Sequence, residues 1–547
     1  MQLVFRLTTR HSPHPLPHMS NQNILRSFSD DRLRLIIASV IGLFASVAIG
    51  LVAVGSAGNP VKNLMLILGG VMLVLASLKP HFGLRLLILS SACLDLVKRF
   101  LVIFGVGSMT DVMGVLAVAP MILAGIFLGV FVLHPIFTKR MLNQDERRLT
   151  FLAVIPIGFS LVSGFRTGGL LPEVLGNTTN KSAYILLIPS VYALYRRTGL
   201  AETIRLLRFL VVVFVPVAIY GIQQYWFGLN QFEIDYLRSG LTSTVGNLYE
   251  VHPRAFSTLN SPHAFGIAMG IMLLLSLVLA SRTLRPQSGF FSTRGRWLLP
   301  PLFAIASTLS LVRAGWVVAV LGLLGQFAFR TKARVIVFYT SFVLLFGILV
   351  WKADVVYARL DEFQRYLPTE TDFQDQAFHL GTYSERLFGF QNMFTNRAMW
   401  TWFGNPDLEY RVGGDFSRDE IVHDAVGQML VSHGIVGVVL MFITLIVSLS
   451  FLHRKTLAIR SGSARALGRT LLSVAMATFF GGMLTGNHIA VFPINMIFWC
   501  LVGALVTLAK LGNAAADGTA GLQPAPALLA GGKRSFLAVE GGNRTVR

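Results

Sequence analysis

The chain is built from long runs of apolar residues broken by short polar clusters, a pattern sustained from residue 35 to residue 351 and again from residue 424 to residue 510. Residues 35–55, 111–133 and 489–509 each exceed the roughly 18–20 apolar residues that cross a hydrocarbon layer about 30 Å thick. Lipid offers backbone N–H and C=O groups no partner, so spans of this kind must be helices. Reading apolar runs against basic clusters predicts spans near 35–55, 63–78, 83–104, 111–133, 149–165, 182–195, 209–227 and 261–281. Further spans follow near 297–312, 314–329, 333–351, 424–452, 470–486 and 489–510. The run 83–104 carries Asp95, Lys98 and Arg99 and reads as a partial or re-entrant segment, because charges inside a membrane span are costly. The expected fold is an all-α, polytopic membrane bundle of about 12–14 transmembrane helices with one large outer loop.

Composition and charge sharpen this picture. Of the 547 residues, 54% are hydrophobic and only 13% charged, against about 25% charged in soluble domains. The net charge of +21 could point to nucleic acid, but Lys and Arg lie in short clusters between apolar runs, as in KRMLNQDERR at 139–148. That is the signature of cytoplasmic loops, so no nucleic-acid partner is expected and both termini are placed in the cytoplasm. Cys93 and Cys500 both lie in apolar surroundings and support neither a disulfide framework nor a metal site. The first 30 residues lack the apolar core of a signal peptide, and Met19 is a candidate start.

Parity resolves the run 297–329, about 50 Å long as one helix. Arg282, Arg285, Arg294 and Arg296 precede it, and Arg330, Lys332 and Arg334 follow it. Both flanks belong on the cytoplasmic side, so the run crosses twice and Arg313 falls at the outer turn. The same counting puts residues 352–423 outside, with 12 acidic and 7 basic residues and a net charge of −5. The expected organisation is a cytoplasmic segment 1–34, a bundle 35–351, the loop 352–423, three C-terminal spans within 424–510, and a disordered cytoplasmic tail 511–547 rich in Ala, Gly and Pro. Within the loop, Thr382-x-x-Glu385 reads as a capping box. Leu387, Phe390, Met393, Phe394 and Met399 then recur at nearly helical spacing and predict an amphipathic helix over 384–401. Tyr383, Trp400, Trp402 and Tyr410 suit either sugar stacking or anchoring at the interface.

Three outer segments carry candidate chemistry: VHPRAFSTLNSPHAFG at 251–266, SLVRAGW at 310–316 and VHDAVGQMLVSHGIVG at 422–437. A guanidinium holds phosphate through a fixed fork of donors, so Arg254 and Arg313 can grip a pyrophosphate; the plainer alternative is that each snorkels to lipid headgroups. The imidazole of His423 titrates near neutrality and can deprotonate a hydroxyl nucleophile, with Asp424 either orienting it or acting as a helix N-terminal charge; alternatively His423 is merely interfacial. His433, about 15 Å further along one helix, reads as too deep for a surface reaction. His252, His263 and His488 rank below His423. Glu233-x-Asp235 is the one compact acidic pair on an outer loop other than 352–423, but no His or Cys cluster accompanies it and no metal is expected.

Taken in order, Arg254 with LNSPHAFG, TLSLVRAGW, an outer loop containing YSERLFGFQNMF, and HDAVGQMLVSHGIVGVVL followed by two more spans resemble the O-antigen ligase and O-antigen polymerase family across residues 240–510. The resemblance implies a bacterial inner-membrane glycosyltransferase that takes a glycan from a polyprenyl-pyrophosphate carrier on the periplasmic face. The acceptor is lipid A core for a ligase, or another repeat unit for a polymerase of O-antigen or exopolysaccharide. It also implies that His423 activates the acceptor hydroxyl, that Arg254 and Arg313 hold the pyrophosphate, and that Arg386 takes a substrate-binding place at the start of the loop helix. The expected reaction is inverting and metal-independent, needs no cofactor, and has a chain-length regulator and a flippase as natural partners. This sequence departs from the family pattern at Ser261 and His263, at SLVRAG, and at His433, where the family is often acidic. A lipid-linked oligosaccharide flippase is the alternative; transporters usually show similar halves, and no internal repeat is visible.

Overall fold

The computed structural model describes residues 60–103, 109–138, 141–166, 182–239, 254–281, 293–352, 400–404, 425–459, 462–485 and 491–514, with isolated positions between them. Among these residues every regular element is helical and no strand occurs. In chain order the helices are α1 Pro60–Leu78, α2 Pro80–Ile103, α3 Met109–Leu128, α4 Gln144–Arg166, α5 Leu187–Thr198, α6 Leu200–Phe227 and α7 Gln231–Arg238. They continue with α8 Pro262–Leu279, α9 Thr293–Leu309, α10 Arg313–Ala328, α11 Lys332–Trp351, α12 Ala425–Ala458, α13 Gly462–Thr485 and α14 Ile494–Ala514. Six stretches are long and apolar enough to cross a membrane by length and composition: Gly114–Thr138, Gln144–Phe165, Leu200–Phe227, Pro262–Leu279, His433–Ala458 and Ile494–Leu511. Lys62–Leu78, Trp297–Leu309 and Arg313–Ala328 are shorter apolar helices. The expected span 35–55, the segment 1–34 and most of the loop 352–423 with its helix at 384–401 lie outside the described residues.

Helix α8 is the hub, packed by α9, α10, α6 and α13, and nearly all its side chains are buried. By contrast, α4, α11 and the second half of α12 leave apolar side chains such as Phe151, Val162, Leu344 and Val447 exposed, as lipid-facing helices do. Backbones approach closely where glycines line the contact. A Cβ at Gly270 would stand 2.5 Å from the Gly315 carbonyl oxygen, and one at Gly125 would stand 2.3 Å from that of Leu73, so α8–α10 and α3–α1 pack through small residues.

Four elements bear on the pattern reading. The run 297–329 divides into α9 and α10 at 310–312, as parity requires, and α2 is one continuous helix that is not among the six stretches long and apolar enough to cross a membrane. Its charges persist because they are buried and paired, as described below. Helix α14 runs to Ala514, so residues 511–514 are helical rather than part of a disordered tail. Finally, α12 is two helices in one: Gly434 has φ 67° and ψ −166°, which ends the segment 425–433 and starts a new helix. The break is held from outside, since the Ile435 and Val436 N–H groups donate to the Thr401 and Trp402 carbonyls at 2.9 and 3.1 Å.

The ends of the bundle separate cleanly. Asp145 meets Lys510 at 3.1 Å, and Glu146 meets Arg196 and Arg197 at 3.3 and 3.5 Å. The start of α4 and the ends of α5 and α14 therefore share one end. Arg208 donates to the Leu284 carbonyl, which brings the start of α6 and the chain beyond α8 to that same end. The opposite end holds the C-terminal part of α6, the start of α8 and the α9–α10 turn.

Candidate functional site

Residues 254–261 form a turn leading into α8, and the structure fixes it at nearly every residue. The Ala255 N–H donates to the Leu309 carbonyl at 3.3 Å, which joins the Arg254 segment to the end of α9. The Phe256 and Ser257 N–H groups donate to Gln224 Oε1 of α6 at 3.1 and 2.5 Å, and Ser257 Oγ donates to the Val217 carbonyl at 2.5 Å. Ser257 lies at φ 53°, a left-handed conformation that costs energy in a residue with a side chain and persists only where its surroundings hold it. Ser261 caps α8 by accepting the Ala264 N–H at 3.2 Å, with Pro262 as the first helical residue.

The second arginine arrives at the same place. Residues 309–312 turn sharply, with Leu311 at φ 53°, the Leu311 N–H on the Thr308 carbonyl at 2.9 Å and the Val312 N–H on Ser310 Oγ at 3.2 Å. Arg313 then opens α10. Ser307 Oγ donates to the Gly266 carbonyl at 3.1 Å, and a Cβ on Gly266 would stand 2.5 Å from Ser310 Oγ. The first turn of α8 and the α9–α10 turn are thus in direct contact. The starts of α8 and α10 meet here, with Arg313 opening α10 and the Arg254 segment joined to the end of α9. Aligned peptide dipoles give each N-terminus about half a positive charge, so two guanidinium groups and two dipole ends favour an anion at this point.

Behind the turn lies a buried ionic network. Arg99 of α2 is fully buried and pairs with the equally buried Glu233 of α7 at 3.2 Å. Its guanidinium also donates to the Ser257 and Leu259 carbonyls and stacks over the Phe256 ring at 4.3 Å. Gln224 Nε2 donates to Glu233 Oε1, and Glu233 Oε2 accepts the Asn230 N–H at 3.0 Å in a capping box that starts α7. One turn back along α2, Lys98 pairs with Asp95 at 3.0 Å, and the second Asp95 oxygen is buried with no hydrogen-bond partner. This network clamps the turn from the inside while Arg254 remains half-buried at its edge.

Glu233 and Asp235 are therefore not a metal-binding pair. Glu233 faces inward onto Arg99, whereas Asp235 accepts from the exposed Gln231 at 2.9 Å. Among the described residues no cluster of three metal-ligating side chains occurs. The Arg99–Glu233 pair was the feature missed by sequence reasoning. Its signal was present as three ionisable residues at 95, 98 and 99 in an apolar run, which demand partners.

His433 ends the helical segment 425–433, and the break at Gly434 starts a new helix directly after it. Its Nδ1 lies 2.7 Å from Ser163 Oγ near the C-terminal end of α4, with the Phe159 ring edge-on at 5.0 Å. A Cβ at Gly434 would collide with the passing backbone, 2.5 Å from the Thr401 oxygen and 2.3 Å from the Gly404 nitrogen. The structure brings the segments that carry Arg254 and Arg313 into contact; His423, Asp424, Arg386, His252 and His488 lie outside the described residues. No family model matches the chain, and no curated protein matches it.

Proposed function

We propose that the chain is a multi-pass bacterial inner-membrane glycosyltransferase of about 12–14 spans that transfers a glycan from a polyprenyl-pyrophosphate carrier to an acceptor sugar hydroxyl on the periplasmic face. The observation that carries this reading is the meeting of Arg254, Arg313 and two helix N-termini at one end of the bundle. Four sources of positive potential around one turn suit a ligand with two adjacent phosphates, and a pyrophosphate leaving group supplies its own driving energy. In the reaction the anomeric C1–O bond to the pyrophosphate breaks as the acceptor oxygen bonds to C1 from the opposite face. The bond electrons leave with the polyprenyl pyrophosphate, where the arginines stabilise the developing charge. The acceptor proton passes to His423.

The path of α12 supports this assignment of the base. Phe329, at the end of α10, packs against His453 at 5.7 Å near the end of α12. Both helices run toward that end, so the chain enters α12 from the side where Arg313 opens α10. The outer loop 352–423 and cytoplasmic termini complete the topology, and Arg386 belongs to the donor or acceptor surface of that loop.

The test is a deletion strain rescued with wild type, Arg313→Ala, Arg254→Ala or His423→Ala, with expression checked and surface glycan separated by size. Loss of chain length marks a polymerase, and loss of attachment to lipid A core marks a ligase. A well-expressed His423→Ala or Arg313→Ala chain that fully restores the glycan overturns the proposal. The buried charges at Asp95, Lys98 and Arg99 favour one other reading, a lipid-linked oligosaccharide flippase. In that case carrier-linked glycan accumulates on the cytoplasmic leaflet rather than the periplasmic one.

A further inference from the structure

At the end of the bundle opposite Arg254 and Arg313, helices α8–α14 gather cations and bring no carboxylate of their own. From residue 251 to 353, and again from 425 to 516, the chain contains no Asp or Glu. Helices α8–α11 and α12–α14 therefore bring no acidic side chain to this end. They bring Arg330 and Lys332 at the α10–α11 turn, His453 near the end of α12, and Arg465 and Arg469 in the first turns of α13. These groups are close together. The Phe329 and His453 rings lie 5.7 Å apart, and the pKa of Arg469 is lowered by burial first and then by Arg330 and Arg465. Arg465 Nε donates to the Ile459 carbonyl at 2.5 Å, which fixes its guanidinium at the start of α13.

The carboxylates described at this end are already engaged: Asp145 by Lys510, Glu146 by Arg196 and Arg197, and Glu202 by Arg205. An ordinary cation of a cytoplasmic loop is solvated and needs no partner. Here Arg469 is partly withdrawn from water beside two like charges. Nε2 of His453, a residue only 8% exposed, is buried with no hydrogen-bond partner. A bound anion relieves the repulsion and offers acceptors to the donors. The adjoining surface identifies its source. Val320, Leu323, Leu324 and Phe327 form an exposed apolar stripe along α10 at helical spacing, and Arg330 stacks on Phe327 at 4.5 Å where the stripe ends. Cationic groups at the end of a lipid-facing apolar stripe match a molecule with a phosphate head and hydrocarbon chains.

We propose that this end of the bundle holds an anionic phospholipid, its phosphate among Arg330, Arg465 and Arg469 and an acyl chain along the Val320–Phe327 stripe of α10. The site is separate from the arginine turn and does not depend on the reaction assigned to it. The test uses the full chain purified in neutral detergent, with dioleoylphosphatidylglycerol, dioleoylphosphatidylcholine or inorganic phosphate added at equal phosphate concentration. Melting temperature and lipid retained in native mass spectrometry are read. Phosphatidylglycerol is expected to raise the melting temperature and remain as a discrete adduct, while phosphatidylcholine and inorganic phosphate do neither. Arg330→Gln/Arg469→Gln should weaken phosphatidylglycerol binding about tenfold or more. Arg205→Gln, which removes a cation at the same end outside the cluster, should leave it unchanged. Equal effects of the two lipids, or wild-type affinity in the double variant, overturn the proposal. An equal effect of inorganic phosphate overturns the assignment to a lipid. If the double variant does not fold, exposed Lys332→Gln is measured in its place and must also weaken binding selectively.

Discussion

Replacing Arg99 by methionine keeps most of the side-chain volume and removes the charge, leaving Glu233 with no cation in a site where both side chains are fully buried. At the observed 3.2 Å, with an effective dielectric constant of about 20, the lost attraction is about 5 kcal/mol. Mutational experience with buried pairs broken on one side gives about 3–5 kcal/mol. The Ser257 and Leu259 carbonyls lose a charged donor at the same time. Arg99→Met should therefore cost about 3–5 kcal/mol. Glu233→Gln keeps an acceptor oxygen facing Arg99 and should cost less, about 1.5–3 kcal/mol. In Arg99→Met/Glu233→Gln neither half of this pair leaves an unpaired buried charge, so the double variant should be more stable than Arg99→Met alone. The assay is reversible unfolding in mixed micelles by titration with a denaturing detergent, followed by tryptophan fluorescence. A double variant whose loss equals the sum of the single losses would refute the coupling, because two independent sites add and two halves of one buried pair do not.

Other consequences are checked more simply. Gly434→Ala places a Cβ 2.3–2.5 Å from the backbone of residues 401–404 at a φ of 67°, and should cost at least about 1–3 kcal/mol, read as a lower melting temperature and faster proteolysis near residue 404. Gly270→Val forces α8 from α10 at a contact where a Cβ would be only 2.5 Å from the Gly315 oxygen, and should cost about 1–3 kcal/mol, measured by the same melting assay. His423→Ala should lower glycan transfer about 10²–10⁴-fold, whereas His433→Ala removes the 2.7 Å contact with Ser163 and should cost about 0.5–1.5 kcal/mol of stability with transfer retained. The reverse ranking in purified-enzyme rates would move the base to His433.

Most of the helical layout was legible because hydrocarbon imposes it. A span must be long and apolar, and basic residues mark one side, so the division of 297–329 at Arg313 followed from charge parity alone. What the pattern leaves hidden falls where tertiary contacts compensate a local cost. Asp95, Lys98 and Arg99 made α2 resemble a poor span because the sequence pattern shows the cost of each charge and hides the partner. That partner, Glu233, is 134 residues away in sequence from Arg99. The break in α12 was hidden for a similar reason. Gly434 in an apolar run is compatible with an unbroken helix, and only the backbone of residues 401–404 passing beside it makes the left-handed conformation stable.

The same distinction explains what could be read of the candidate site. Arg254 and Arg313 attracted notice as charges beside apolar runs, yet their chemistry depends on features that neither residue displays in sequence. Arg313 opens α10, the turn that follows Arg254 leads into α8, and the two helix starts touch because Gly266 leaves room for Ser310 and because Ser307 bonds across the interface. A snorkelling arginine needs only a flexible side chain and a nearby headgroup. Arg254 instead borders a turn held at Ala255, Phe256, Ser257 and Leu259 by three different helices, including a buried ion pair and a left-handed serine. Burial of a paired charge adds little net stability, since desolvation offsets much of the attraction. Its physical effect here is to leave the turn one conformation, and a guanidinium that must meet a transferring phosphate benefits from that restriction more than one that merely greets lipid. Loosening the Arg99 clamp while leaving Arg254 in place should thus lower transfer through poorer donor binding, and Arg99→Lys, which keeps the charge on Glu233 but not both carbonyl bonds, should fall between wild type and Arg99→Met.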